Sequence, residues 1–285
     1  MSLRAGIPLI SEVEALVRTE LYQELSAYAE AFFRANRRSL WLYALRHSAN
    51  PVRQWSRRWE YAFTVERARE HLRQCAERPL RVLDAGSGVT FLPFYLSQSL
   101  PSTELVCCDA NKAYGKILAR INARRQDAKV AFACAWLEDL PFPDESFDLV
   151  YCISVLEHTR AYGPVLDEFE RVLRPGGILV ATFDISLDGR AEILPGKARE
   201  LVERITSDFA CPREVDLIRE LDRLKEPGEI LTTDYAKREQ PGALPWRYPV
   251  LKSMYDLLRG RAWSGGFYSA TVFCLDARLE RFSKH

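Results

Sequence analysis

The chain lacks a charge bias, long apolar runs and paired cysteine motifs. Forty basic residues are balanced by thirty-nine acidic ones, so the formal net charge is +1. Net charge therefore does not indicate a highly charged binding partner, and it disfavours nucleic acid as a partner. No apolar run approaches the roughly eighteen residues of a membrane span, and no apolar signal core follows the N-terminus. We predict a soluble, cytoplasmic protein with no membrane partner; its oligomeric state stays open.

The cysteines give no sign of a zinc or redox site. Seven are present, and no two of them have the CxxC spacing of such sites. Several lie in apolar, β-branched or aromatic runs, where a free cysteine behaves as a small hydrophobic residue. These are Cys107, Cys108, Cys134 and Cys152. We predict reduced, buried thiols and no metal site.

The first 77 residues form a predicted helical extension, or cap. Apolar side chains recur at nearly 3.6-residue spacing between residues 11 and 35, with Ser11 as N-cap, which predicts one amphipathic helix. A second helix is predicted from Val52 to Ala76. Its basic cluster is predicted to be a solvated face. The members of that cluster are Arg53, Arg57 and Arg58.

From Arg81 onward, short apolar runs alternate with helical segments. The runs are RVLDAGSG, ELVCCD, KVAFACA, FDLVYCIS and ILVATFDIS. Strands that alternate with helices predict a parallel sheet with right-handed crossovers. A turn is predicted at residues 174–177, before the fifth strand. The last strand is predicted in FYSATVFCLD, because β-branched and aromatic residues favour strands.

Residues 78–285 are therefore predicted to form one α/β domain, interrupted by an insertion at about 188–266. Order within the insertion is looser, with helical segments around 196–209 and 213–225. We interpret it as a lid over a substrate site.

The first strand ends in a turn typical of nucleotide sites. In VLDAGSG, Asp84 is followed by Gly86 and Gly88, which let the backbone approach a ligand closely. A second acid, Asp109, ends the next apolar run about twenty residues later, where it can bind ribose hydroxyls. Dinucleotide sites have a third glycine that packs around a pyrophosphate, but this chain has Phe91 there. A nicotinamide oxidoreductase is therefore disfavoured.

Four segments in order resemble the class I S-adenosylmethionine-dependent methyltransferases. They are VLDAGSG, VCCDAN, EDLPFPDESFDLVYCISVLEH and RVLRPGGILV, and they cover roughly residues 80 to 185. The resemblance implies a Rossmann-like, seven-stranded, mostly parallel sheet with flanking helices. It also implies S-adenosylmethionine as the cofactor, bound at the carboxyl ends of the strands.

By that resemblance, five residues surround the cofactor's methionine and ribose. Gly86 and Gly88 lie beside the cofactor, Asp84 lies near its amino group, and Asp109 with its neighbour Ala110 holds the ribose hydroxyls. The charges of the cofactor support acidic residues at this site independently, since the cofactor carries an ammonium and a sulfonium but no phosphate.

The adenine side departs from the family pattern. Relatives commonly have an acid at the position of Trp136. One interpretation is that Trp136 stacks on the purine while the Leu137 backbone supplies a hydrogen bond; the other is a core or lid tryptophan. Similarly, Tyr61 either reaches the methionine carboxylate from a lid over the cofactor or only packs within its helix.

Candidate catalytic residues follow the fourth and fifth strands. His158, in VLEH, is a candidate to orient cofactor or substrate, or to act as general base; the alternative is a capping histidine. Asp184 and Asp188 follow the fifth strand at the sheet edge where open α/β folds bind ligands, although Asp188 also suits an ordinary turn.

The function predicted from the sequence is methyl transfer from S-adenosylmethionine to a small acceptor of sugar or natural-product type. A sulfonium is a good leaving group, so positioning the acceptor and excluding water can replace a dedicated base. Two alternatives stay open. One is a methyltransferase that acts on RNA or protein, and the other is a non-catalytic sensor or scaffold that binds the same cofactor.

Overall fold

The computed structural model describes most of the chain. The described residues are 2–41, 50–75, 78–100, 102–125, 130–159, 161–190, 193–211, 215–245, 249–258 and 268–280. In chain order the helices and strands are α1 Ile10–Leu16, α2 Glu20–Ala35, α3 Arg57–Gln74, β1 Leu80–Ala85, α4 Leu92–Ser99, β2 Thr103–Asp109, α5 Lys112–Asn122, β3 Ala131–Cys134, β4 Phe147–Ile153, α6 Tyr162–Val172, β5 Leu173–Ser186, α7 Pro195–Asp208, α8 Leu217–Glu220, α9 Thr233–Glu239, α10 Pro249–Leu258 and β6 Ala270–Arg278. Short 3₁₀ helices lie at Pro51–Arg53, Leu156–His158, Leu221–Lys225 and Pro241–Ala243.

One twisted sheet organises the molecule, with strand order β3-β2-β1-β4-β5-β6. The first five strands are parallel, and β6 runs antiparallel to β5. The central strands β1 and β4 are almost wholly buried, as expected for strands covered by helices on both faces. The predicted Rossmann-like fold is confirmed.

The predicted number of strands was wrong. The sheet has six strands within the described residues, not seven. In its described residues, the predicted insertion contributes helices and isolated bridges and no further strand. The outer edge of β6 is met by single bridges from Gly6, Ala210 and Thr232. These segments cover parts of an edge that would otherwise present unpaired backbone groups.

The predicted turn at residues 174–177 is part of β5. Leu173 already pairs with Phe147, and the register then shifts before Leu149 pairs with Ile178. The extra residues form a β-bulge, in which Gly176 takes a φ of 79°. A bulge of this kind bends the strand without ending it.

The predicted first helix is divided into α1 and α2. The Thr19 hydroxyl donates to the Leu16 carbonyl (2.7 Å) and accepts from the Tyr22 amide (3.3 Å). Thr19 is therefore the N-cap of α2, and such a cap begins a new helix. The second predicted helix, from Val52, also begins later, because residues 51–53 form a 3₁₀ turn and α3 starts at Arg57.

Helix α3 joins the N-terminal helices to the sheet. It contacts α1 and α2 on one side and β4, β5 and β6 on the other, and residues 58–65 are all buried. Its apolar side chains belong to the same hydrophobic core as those of the sheet. None of the helices in the described part of the chain combines the length and apolarity needed to cross a membrane.

The cysteines are free thiols, and most of those singled out from the sequence are buried. Cys107, Cys108 and Cys152 lie inside the sheet, and burial raises the pKa of the Cys108 thiol to about 12. Cys134 differs from the prediction, since it is exposed at the end of the short outer strand β3.

Candidate active site

The carboxyl ends of β1 and β2 are joined by a glycine turn. The amides of Gly86 and Ser87 both donate to the Cys108 carbonyl, at 2.8 and 3.0 Å. Gly86 and Gly88 have φ angles of 76° and 53°, in the left-handed region that side chains with a Cβ disfavour. The sequence LDAGSG therefore folds into a turn that depends on both glycines.

The two glycines leave different amounts of room. A Cβ on Gly86 would lie 2.5 Å from Cγ2 of Val155. Gly86 is thus required by packing against the protein itself, and a larger side chain there would disturb the fold before it met a ligand. A Cβ on Gly88 would meet no atom within 4 Å. The open space beside the turn lies at Gly88.

Asp109 ties the glycine turn to the end of β2. Its Oδ2 accepts from the Gly88 amide (3.0 Å), and its Oδ1 accepts from the Asn111 amide (2.8 Å). A carboxylate offers about four lone-pair sites, so it can accept further hydrogen bonds from a ligand. Replacing Asp109 by alanine would remove both contacts, so that substitution would loosen the turn as well as the site. Ala110, the next residue, is exposed.

Asp84 is a buried carboxyl at the same edge, only 5% exposed. Burial, reinforced by the negative charge of Asp109, raises the pKa of Asp84 to about 8, against the opposing effect of the Tyr151 hydroxyl. A carboxyl that is hard to ionise in the ligand-free protein gains most from a cation placed beside it.

Beyond β3, the chain presents an exposed aromatic ring and an available amide. Trp136 is 72% exposed, so it is not a core tryptophan, and its faces are available for stacking. Leu137 is buried, and its amide donates to no acceptor in the described ranges. An indole beside an available N–H suits a purine, which offers a π-face and acceptor nitrogens.

Tyr61 lies on α3 and contacts the residue that precedes α4. It is buried, and its ring meets that of Phe91 edge to face at a centroid distance of 5.1 Å. Phe91 is fully buried at the start of α4, where a dinucleotide site has its third glycine. Here an aromatic contact replaces that close backbone approach.

A second polar group lies where β4 ends, beside the middle of β5. Glu60 of α3 is fully buried, and Nη1 of Arg57 donates to both of its carboxylate oxygens, at 3.0 and 2.9 Å. The hydroxyls of Ser154 and Thr182 each donate to its Oε1, at 2.6 Å. We call Arg57, Glu60, Ser154 and Thr182 the Glu60 cluster. It attaches the first turn of α3 to the end of β4 and to the neighbouring strand β5.

Arg57 lies among several negative groups. Burial opposes its charge, but the surrounding groups outweigh this effect and raise the pKa of its guanidinium above the ordinary value; these are Glu60, Tyr61, Asp184 and Glu157. Arg58 is buried, and it donates to the Gln240 side chain at 2.6 Å. The predicted solvated face was therefore wrong for Arg57 and Arg58, because the strand ends and the predicted insertion cover them.

Residues 83–181 match the family model described as a methyltransferase domain. This segment is a class I S-adenosylmethionine-dependent methyltransferase domain. S-adenosylmethionine is accordingly its cofactor. Asp84, the glycine turn, Asp109 and Trp136 all lie within the matched range, whereas the first turn of α3 lies outside it.

Two curated relatives match part of the chain. Sterol 24-C-methyltransferase erg6 of Schizosaccharomyces pombe is 29% identical over 179 residues, which cover 60% of this chain and 45% of that protein. Demethylmenaquinone methyltransferase of Thermus thermophilus is 36% identical over 102 residues, which cover 36% of this chain and 46% of that protein. The chain thus spans less than half the length of these relatives.

Among solved structures, the (4+2)-cyclase SpnF superposes with a TM-score of 0.50 at 19% identity. The match covers 78% of this chain and 83% of the cyclase. At that identity the likeness establishes the fold alone.

The predicted catalytic residues of the methyltransferase domain lie in different surroundings. His158 is exposed at the end of the Leu156–His158 3₁₀ helix, where its amide donates to the Val155 carbonyl (2.8 Å). Asp184 is partly buried on β5, within electrostatic range of Arg57. Asp188 accepts from the amide of Arg190 (3.1 Å), as a turn residue does, and from the distant amide of Ser269 (3.0 Å).

Sequence reasoning missed the Glu60 cluster. Its four members come from three distant segments, and no feature of the motif that contains Ser154 indicates a partner on helix α3. The only local signal was the spacing of Arg57 and Glu60, three residues apart in a helix, which places them as neighbours on one face. The same spacing also suits an ordinary surface ion pair.

Proposed function

We propose that this chain transfers the methyl group of S-adenosylmethionine to a small-molecule acceptor. One observation carries the proposal: at the carboxyl edge of a methyltransferase-domain sheet, Asp109 holds the Gly88 amide next to open space and lies within electrostatic range of Asp84. Open α/β sheets bind ligands at this edge. A ligand with an ammonium, a sulfonium and a ribose diol matches two carboxyl groups without any phosphate cradle.

In this proposal the cofactor is held along the ends of β1, β2 and β3. Asp109 accepts hydrogen bonds from the ribose hydroxyls with the lone pairs left by Gly88 and Asn111, beside exposed Ala110. Asp84 binds the ammonium. Trp136 stacks on the adenine, and the Leu137 amide donates to it. The Tyr61 hydroxyl extends toward the methionine carboxylate.

The acceptor is bound at the ends of β4 and β5. When bound, the cofactor supplies an electrophilic methyl group on a good leaving group, so the protein's task is to orient the acceptor and exclude water. Glu60 and Arg57 hold the strand ends and α3 in one arrangement. Asp184 is placed to accept a proton from an acceptor hydroxyl, and His158 to orient the acceptor from the exposed side.

We assign the choice of acceptor to the N-terminal extension, residues 1–77, and to the predicted lid, about 188–266. Both segments lie outside the matched family domain, and α3 already reaches the strand ends. The named relatives act on a sterol and on a demethylmenaquinone, as their names state. Because the sterol and the demethylmenaquinone are both small natural products, these relatives support an acceptor of the same general kind for this chain.

The first test is calorimetric titration of the purified protein with S-adenosylmethionine and S-adenosylhomocysteine, with NADH as control. We expect micromolar binding of the first two and none of NADH. Failure of both to bind to folded protein would refute the proposal. Methyl transfer is then assayed with labelled cofactor against a panel of small alcohols, phenols and amines. Binding without transfer to any acceptor would favour the sensor alternative.

The ribose contact is tested with Asp109→Asn, which retains one acceptor oxygen for the turn. Loss of hydrogen bonds to a charged group costs about 1.5–3 kcal/mol, so the dissociation constant should rise at least tenfold. Glu104→Gln is the matched control, since Glu104 lies on the same strand near its other end and forms an ion pair with Arg81. Equal affinities of the two variants would contradict the assignment.

A further inference from the structure

Asp84 and Tyr151 are neighbours across two central strands. Asp84 of β1 is in register with Tyr151 of β4, so the two side chains leave the same face of the sheet. Tyr151 is fully buried, and Asp84 is 5% exposed. The Tyr151 hydroxyl completes no hydrogen bond of normal geometry within the described residues, and the charge that influences it most is that of Asp84. The Asp84 carboxyl group is therefore the evident acceptor for this buried hydroxyl.

Other titratable groups surround Asp84 but do not match this donor. From β2, Cys107 and Asp109 face it; from β4, Cys152 lies next to Tyr151. Thiols are weak donors, and an aspartate repels the carboxylate. Tyr61 of α3 faces Tyr151. Burial raises the pKa of Tyr151 well above its usual value, so it keeps its proton.

We propose that Tyr151 is a positioning residue that donates a hydrogen bond to the Asp84 carboxylate and fixes it toward the ammonium of the cofactor. The inference rests on the proposed function. In the ligand-free protein much of Asp84 is protonated near pH 7. When the ammonium binds, that proton is released to solvent, and the Tyr151 hydroxyl stabilises the new carboxylate from behind. No bond to the cofactor is made by Tyr151 itself.

Tyr151→Phe removes only the hydroxyl and keeps the ring in the core. We test it by calorimetry with two probes, S-adenosylhomocysteine and methylthioadenosine. Both contain the thioether and adenosine, but methylthioadenosine lacks the amino-acid end. A lost hydrogen bond to a charged group should weaken S-adenosylhomocysteine binding about tenfold at pH 7. Methylthioadenosine should bind to both proteins with affinities within about twofold.

The pH profile separates positioning from general damage. Wild-type affinity for S-adenosylhomocysteine should rise between about pH 6 and pH 8 as Asp84 ionises, and the midpoint should move upward by about one unit in Tyr151→Phe. In an Asp84→Asn background the same substitution should add no further loss. Equal weakening of both probes, or an unshifted profile, would overturn the inference. Absence of wild-type binding would instead refute the proposed function.

Discussion

Replacing Glu60 by alanine should destabilise the protein more than any substitution of an exposed residue. The variant leaves the Arg57 guanidinium without the carboxylate that it pairs with. Only 26% of the Arg57 side chain is exposed, so water cannot fully replace that partner. The variant also leaves the hydroxyls of Ser154 and Thr182 without the acceptor that each reaches at 2.6 Å. A buried charge without its partner is the costly part of this change.

The magnitude follows from these contacts. Removing one member of a buried ion pair costs about 3–5 kcal/mol, and the partial exposure of Arg57 favours the lower end. Each hydroxyl that loses its acceptor adds about 0.5–1.5 kcal/mol. We expect a loss of about 4 kcal/mol in the free energy of unfolding. For a protein of this size that corresponds to a melting temperature roughly 8–12 °C lower.

Equilibrium unfolding in urea, followed by circular dichroism, measures the loss at constant m-value. The matched control is the double variant Arg57→Met/Glu60→Leu, which removes both charges and should recover at least half of the stability, because an apolar pair carries no desolvation cost. A cost of less than about 1 kcal/mol for Glu60→Ala would refute the reasoning. A double variant worse than the single one would also contradict it.

Two further predictions concern the cofactor site. Gly88→Ala places a methyl group in open space at a left-handed φ, so it should cost about 1–2 kcal/mol in stability and weaken binding of S-adenosylhomocysteine. Gly176 in the β5 bulge also has a left-handed φ and open space around it. Gly176→Ala should therefore cost similar stability and leave binding unchanged. Trp136→Ala should weaken binding of S-adenosylhomocysteine by about 1–3 kcal/mol and have little effect on the free energy of unfolding. Trp41→Ala, at another exposed tryptophan, should change neither the affinity nor the stability. Equal affinities of the two glycine variants, or of the two tryptophan variants, would contradict the assignment.

The parts of the fold that could be predicted from the sequence depend on local signals. Apolar runs that end in Asp84 and Asp109 gave β1 and β2, and both runs are strands of the sheet. The antiparallel last strand was also located correctly, since its β-branched and aromatic residues are contiguous. The bulge at Gly176 was mistaken for a turn, because an L-R-P-G-G segment favours both and only the pairing partner decides between them.

The acceptor side of the site depends on contacts between distant segments. A basic cluster followed by Glu60 has the composition of a solvated helix face. Its burial becomes apparent only in the folded structure, where strands β4 and β5 cover this part of helix α3. Phe91, by contrast, was informative, because a bulky residue in a glycine position limits the ligand by its volume alone. Sequence reasoning therefore proposed residues for the cofactor half of the candidate site, and it missed the Glu60 cluster, which supports the other half.

The hydrogen bonds of Glu60 also set an order of events during synthesis. They join residues 94 and 122 positions apart in the chain. At about 5–20 residues per second, helix α3 waits roughly 6–24 s on the ribosome before Thr182 has been made. During that interval its buried carboxylate and arginine face water or a chaperone. The cluster is thus complete only after Thr182 has been made, although Glu60 is made 122 residues earlier.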